Sequence, residues 1–317
     1  MKNRFKLNRL WSMLITLILA SLACSIGNEK LAVGKSTVTV LQNSTIATKQ
    51  PNSGESDLSD EGHLNAISST VILTAVFPEG KDYSSTRIGT GVMISADGYI
   101  LTSAYTTNPT AFETSQDDPS YFLVGLVSQE DKAPINSYIA EVAGVDEFLD
   151  LAVLRIVSTI DGTKVVPDDL NLPFFKLGNP DEVRIGDPII TIGYRGEGKE
   201  AITSANSSFA GWKGEDPLGD HAWMKFDGLI FGFFGWAATN NQGQLLGVVS
   251  NKTYLAVLSN KNCRRLSDTN NDGKIDDDDE CNLTTISPIY EIRPIIYAKD
   301  LIDTVQKGQE YISPYSK

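Results

Sequence analysis

The chain has no apolar stretch long enough to cross a bilayer comfortably. The run from Leu10 to Ala23 falls short of the roughly 20 residues a spanning helix needs. It also has no basic cluster beyond its first residues, and its formal net charge is -13. That balance argues against nucleic acid as a partner, and against anionic lipid as a partner of the folded part, because clustered Lys and Arg hold both. Cysteine is scarce, with only Cys24, Cys263 and Cys281. Histidine is scarcer, with His63 and His221 alone. No internal repeat is strong enough to argue a repeat architecture.

The N-terminus has the form of a processing segment. Lys2, Arg4, Lys6 and Arg9 make a basic head, and the short apolar run follows. Ser21-Leu22-Ala23-Cys24 then resembles a bacterial lipobox, with Ser21 where Leu or Val is usual. The expectation is a signal peptide over 1–23 and a lipid on Cys24. The lipid would attach the protein to the outer face of a bacterial membrane; plain secretion and a retained anchor are the alternatives. With Cys24 lipidated, Cys263 and Cys281 remain as an even pair, suited to a disulfide outside the cytoplasm. Residues 24–63 are rich in Ser, Thr, Asn, Lys and Glu without a sustained apolar period, and read as a flexible linker.

From Leu64 the texture changes. Short apolar runs alternate with turn residues: Ser69 to Phe77, Gly91 to Ser95, Tyr99 to Thr102, Tyr121 to Val127, Leu151 to Val157, Pro188 to Gly193, Trp223 to Phe226 and Leu245 to Ser250. This pattern predicts an all-β domain of many short strands. Ala298, Leu301, Ile302 and Val305 have helical spacing before Gly308, which predicts one short C-terminal helix.

Three segments resemble the trypsin-like serine proteases of the HtrA type. Gly89 to Thr102, with its Asp97-Gly98 turn, is similar to the family's first-barrel signature. Asp150-Leu151-Ala152-Val153-Leu154 is similar to its aspartate motif. Leu177 to Asp181, Val183 to Asp187 and Ile190 to Gly193 are similar to the segment that opens the second barrel. Counting back from Gly243 places the nucleophile loop on Gly232-Phe233-Phe234-Gly235-Trp236. The resemblance implies two six-stranded antiparallel β-barrels over 64–308, divided near 170, with a tail over 309–317. No PDZ-like domain is expected after Gly308.

The family's catalytic positions fall on Tyr105, Asp150 and Phe234. A serine hydrolase needs an oxygen nucleophile, a base near neutral pKa and a carboxylate to orient that base. Phe has no lone pair to offer, and a Tyr phenol is protonated at neutral pH. The resemblance therefore implies a trypsin fold without the usual catalysis. Gly232 and Phe234 would keep an oxyanion-hole-like backbone with no nucleophile to serve. Phe233, Phe234 and Trp236 would either fill the vacated cleft or present an aromatic patch to an unknown protein or peptide ligand. Asp150 is expected to be structural, bonded to Tyr105 or to nearby amides. An active enzyme with displaced residues, including one built on His221, and a purely structural surface protein are the alternatives.

A second motif lies between Cys263 and Cys281. Asp268, Asn270 and Asp272 have the spacing of positions 1, 3 and 5 of an EF-hand-like loop; Gly273 is at 6, Ile275 at 8. The expected ligands are Asp268, Asn270, Asp272, the Lys274 carbonyl, Asp276 and Asp279, around a structural Ca2+. Asp279 is shorter than the usual Glu at position 12. A Cys263–Cys281 bridge would clip the ends of this insertion.

Overall fold

Tyr99 to Thr102 is buried along its whole length, so it must face a core on each side. It does so in a computed structural model that describes residues 60–79, 82–112, 117–195, 200–228, 234–250, 272–274, 276 and 289–315. Ile100 points into the interior of one barrel with Leu73, Phe122, Val124 and Leu154. Tyr99 and Leu101 point the other way, into a layer shared with a second barrel.

The first barrel is formed by β1 (Thr70–Glu79), β2 (Asp82–Met93), β3 (Tyr99–Thr102), β4 (Tyr121–Leu126), β5 (Ile135–Asp146) and β6 (Leu151–Thr159). They close antiparallel in the order β1-β2-β3-β6-β5-β4. The second is formed by β7 (Pro188–Gly193), β8 (Thr203–Glu215), β9 (Gly219–Asp227), β10 (Ala237–Thr239), β11 (Leu245–Ser250) and β12 (Ile289–Pro294), closing as β10-β11-β12-β9-β8-β7. This is the expected double barrel. Among the described residues both sheets close on themselves, so neither barrel has an open edge strand. The interior of the second barrel is filled by Phe209, Met224, Phe226, Trp236, Val249 and Ile292.

The shared layer decides where the site sits. It joins Val92, Leu151 and Val153 of the first barrel to Ile190, Ile192, Leu245 and Val248 of the second. The predicted C-terminal helix, α3 (Lys299–Gln306), completes it with Leu301, Ile302 and Val305. Although α3 follows the last strand of the second barrel, it lies against the first: the Tyr99 hydroxyl donates to the Val305 carbonyl at 3.2 Å. Beyond it, the Tyr311 hydroxyl donates to Asp146 at 2.7 Å.

One boundary reads differently in the structure. Residues 24–63 read as linker, yet α1 (Asp60–Ser68) begins inside that span. Ala66 is fully buried in the shared layer, and the Asn65 amide donates to the Phe174 carbonyl at 3.3 Å. Acidic Asp60 and Glu61 suit the first turn of a helix, while in composition they resemble tether. Among the described residues no helix is long and apolar enough to cross a membrane.

Candidate functional site

Three turns converge between the barrels. The first follows β3, where Ser103 caps α2 (Ala104–Thr107). The second joins β5 to β6 and carries Asp150 at a φ of 55°, a left-handed conformation costly for a residue with a side chain. Asp146 holds that turn by accepting from the Leu149 amide at 2.9 Å. The third precedes β10 and contributes Phe234 and Gly235.

These turns bring Tyr105, Asp150 and Phe234 together. The Asp150 carboxylate accepts the Tyr105 amide at 3.0 Å and the Ser103 hydroxyl at 2.6 Å on Oδ1. Its Oδ2 accepts a short hydrogen bond from the Ser250 hydroxyl, at the end of β11. The Tyr105 ring stacks on the Phe234 ring, with centroids 4.2 Å apart and planes 28° apart. Phe112 meets Tyr105 edge-on, with centroids 5.6 Å apart. Contacts of this kind contribute roughly 0.5–1.5 kcal/mol each beyond area burial. All three rings remain half-buried.

Trp236 does something else. It is 1% exposed, inside the second barrel, and its indole N–H donates to the Tyr194 carbonyl at 3.0 Å. Of the aromatics in the loop, Phe234 lines the space between the barrels and Trp236 is core. Gly232 and Phe233 lie outside the described residues.

Asp150 is completely buried. Burial pushes its carboxyl above the usual aspartate range. The hydrogen bonds from Ser103, Ser250 and the Tyr105 amide, and the charge of Arg293, pull the other way without cancelling it. Arg293 on β12 is itself fully buried, and its Nε donates to the Leu149 carbonyl, beside Asp150, at 2.8 Å. Burial depresses the guanidinium pKa and Glu215 opposes that shift.

Both histidines are engaged elsewhere. His221 Nδ1 is 3.2 Å from Asp181 and its ring stacks on Trp212 at 4.3 Å. His63 Nε2 is 3.6 Å from Glu130. Sequence reasoning missed Ser103, Ser250 and Arg293. Ser250 ends a predicted strand and Ser103 follows one, so proximity to those strand ends was the available sign.

The metal motif is described only in part. Gly273 has a φ of 88°, the sharp turn that position 6 requires. The Lys274 amide donates to Asp272 Oδ1 at 2.8 Å, and Asp272, Lys274 and Asp276 are exposed. These three fit a hard-cation loop in residue type and turn geometry. Asp268, Asn270 and Asp279 lie outside the described residues, as do Cys24, Cys263 and Cys281.

A family model described as "Trypsin-like peptidase domain" matches residues 89–248. The magnetosome formation protease MamE of Magnetospirillum gryphiswaldense is 28% identical over 158 residues, which is 49% of this chain and 17% of that protein. The "Probable periplasmic serine endoprotease DegP-like" of Chlamydia pneumoniae is 32% identical over 105 residues, 33% of this chain and 16% of that protein. A protein of the same name from Chlamydia muridarum is 31% identical over 105 residues, again 16% of its length. The chain thus spans a small fraction of these relatives.

Proposed function

The chain belongs to the family of trypsin-like peptidase domains, and on that footing we propose that it is a pseudoprotease, an extracytoplasmic binding or scaffold module. One observation carries this reading: a tyrosine ring stacked on a phenylalanine ring, beside an aspartate fully engaged by two serines and an amide. Acyl transfer starts with an oxygen or sulfur attacking a carbonyl while a base takes its proton. Phe234 has no lone pair with which to do either, and a phenol is a poor base beside an imidazole. The half-buried row Phe112–Tyr105–Phe234 supplies apolar contact area where active relatives would place the scissile bond, which suits a protein or peptide ligand.

The purified ectodomain is expected to leave casein intact and to resist a fluorophosphonate probe under conditions where an active trypsin-like enzyme is labelled. Labelling that a single serine substitution abolishes would establish the other reading, a hydrolase with displaced residues. The names of the relatives make that outcome worth testing first.

Two further parts of the proposal rest on sequence motifs. Lipid on Cys24 would hold the protein on the outer face of a bacterial membrane, a placement in keeping with periplasmic relatives; Cys24→Ser is expected to move it from the membrane to the soluble fraction. Asp268, Asn270, Asp272, Lys274, Asp276 and Asp279 would hold a structural Ca2+ that offsets the mutual repulsion of the acidic loop. Chelation is then expected to lower the melting temperature, and re-addition of Ca2+ but not Na+ to restore it. An unchanged melting curve would remove calcium from the proposal.

A further inference from the structure

The Asp150 carboxylate sits where the two barrels meet. Its Oδ1 is held by Ser103 and the Tyr105 amide, both following a strand of the first barrel. Its Oδ2 is held by Ser250, on the second. Asp150 is thus a bridge between barrels, and the adjacent Leu149 carbonyl is bound by Arg293 from the second barrel. Backbone amides donate across the same seam. The Thr90 amide donates to the Phe234 carbonyl at 3.2 Å, and the Tyr194 amide to the Thr90 hydroxyl at 2.9 Å.

We propose that Asp150 is a proton-operated clasp: protonated, it holds the barrels closed over the seam; ionised, it favours their parting. The partners are suited to both states. An ionised carboxylate only accepts, and here three groups donate to it. A protonated carboxyl has an O–H to place, and either serine hydroxyl can rotate to accept it, while the Tyr105 amide remains a donor. Protonation therefore removes a buried charge without orphaning a hydrogen bond. Ionisation leaves the charge in a dry seam, and the cost of its desolvation is relieved when water enters between the barrels.

The surroundings set the direction. Arg293 on β12 is the positive charge acting on Asp150, and it is shared with Glu215 on β8 at 2.7 Å. Within the turn, Glu147 faces Asn108 and Asp146 faces Tyr311. From α2 comes Tyr105, whose ring lies on Phe234. Burial outweighs Arg293 and the hydrogen bonds, so the folded protein holds this proton more tightly than the unfolded chain does. The stability contributed by the group is fully present below the ordinary aspartate pKa and is lost as pH rises through the raised folded value. Exposed carboxylates act in the opposite sense: Thr159 and Thr163 hold Asp161 below its usual range. A wild-type pH profile alone therefore mixes the two, and the comparison must be with a variant of Asp150.

The test is amide exchange by NMR, corrected for the intrinsic pH dependence, on wild type and Asp150→Asn. In wild type, acidification through the raised pKa is expected to slow exchange at Thr90 and Tyr194 relative to Val71 and Leu73 inside the first barrel. The change should approach tenfold for each unit by which the folded pKa exceeds the unfolded one. Asp150→Asn is expected to abolish that relative change. Its retention in Asp150→Asn, or its absence from wild type, overturns the clasp. Ser250→Ala is the second variant, because it cuts only the link to the second barrel. By removing a hydrogen bond that pulls the Asp150 carboxyl down, it is expected to enlarge the response and move it to higher pH, and a response no larger than that of wild type would equally overturn the proposal. None of these readings depends on whether the protein binds a ligand or cleaves one.

Discussion

Arg293→Ala is expected to lower stability by about 3–5 kcal/mol, the range for breaking a buried ion pair from one side. For a domain of this size that is a fall in melting temperature on the order of 10 °C. Arg293 is 0% exposed and uses all three nitrogens: Nε on Leu149, one terminal nitrogen on the Ala222 carbonyl at 2.8 Å, the other on Glu215 at 2.7 Å. Its guanidinium carbon lies 3.3 Å from the centre of the Trp223 ring. Alanine leaves two buried carbonyls and a carboxylate without their donor, and a void against an indole. Lysine is not a conservative replacement, since one ammonium cannot reach three acceptors in this planar arrangement. The contrast is Lys213 with Glu291, also 2.7 Å apart but with the lysine side chain 43% exposed. Glu291 is only 10% exposed, so Lys213→Ala is expected to cost about 1–3 kcal/mol, less than Arg293→Ala because the lysine itself is in solvent. Thermal or urea unfolding of the two variants side by side checks the difference. If both lose the same small amount, Arg293 is not the pin of the seam.

How far the sequence reaches is visible from which strands it yields. Tyr99–Thr102, Pro188–Gly193 and Leu245–Ser250 are predicted to the residue. Each is buried nearly throughout, so its apolar run is continuous. β5 is not legible because it is mostly half-exposed and its register shifts at Ile139/Ala140 and Val142/Gly144, which breaks the alternation a strand would show. β8 fails for the same reason: its exposed positions are Ser204, Asn206, Lys213 and Gly214, and the register slips on both sides of Gly211. β12 is hidden by Glu291 and Arg293, two charges on a strand whose other face, Tyr290 and Ile292, is core.

The site divides along the same line. Tyr105, Asp150 and Phe234 are found by local spacing within motifs. The groups that define the chemistry of Asp150 are not local. Ser103 lies 47 positions away, Ser250 lies 100 away, and Arg293 reaches a carbonyl 144 positions away. A serine at a strand end is commonplace, and nothing in one sequence says which of them faces a buried carboxylate.

Gly235→Ala is expected to cost roughly 3–4 kcal/mol, and here the backbone sets the cost rather than a lost contact. Gly235 has a φ of 78°, which L side chains rarely adopt. A Cβ there would also lie 2.1 Å from the Thr90 carbonyl oxygen and 2.5 Å from the Thr102 hydroxyl. Neither can yield easily. Thr90 is in β2 and fully buried, and the Thr102 hydroxyl donates to that same carbonyl at 2.7 Å. The loop would have to retreat from the first barrel, breaking the bond from the Thr90 amide to Phe234 and unstacking Phe234 from Tyr105. Gly162 separates the two causes. Its φ is 86°, but nothing lies within 4 Å of where its Cβ would be. Gly162→Ala therefore suffers only the conformational cost of about 1 kcal/mol, and the difference between the variants measures the collision. Unfolding curves for the pair, with NMR of the Tyr105 ring to follow its stacking, make the comparison. Equal losses would mean the loop is free to move away from the first barrel. The close packing of the loop against Thr90 would then not be what requires glycine at this position.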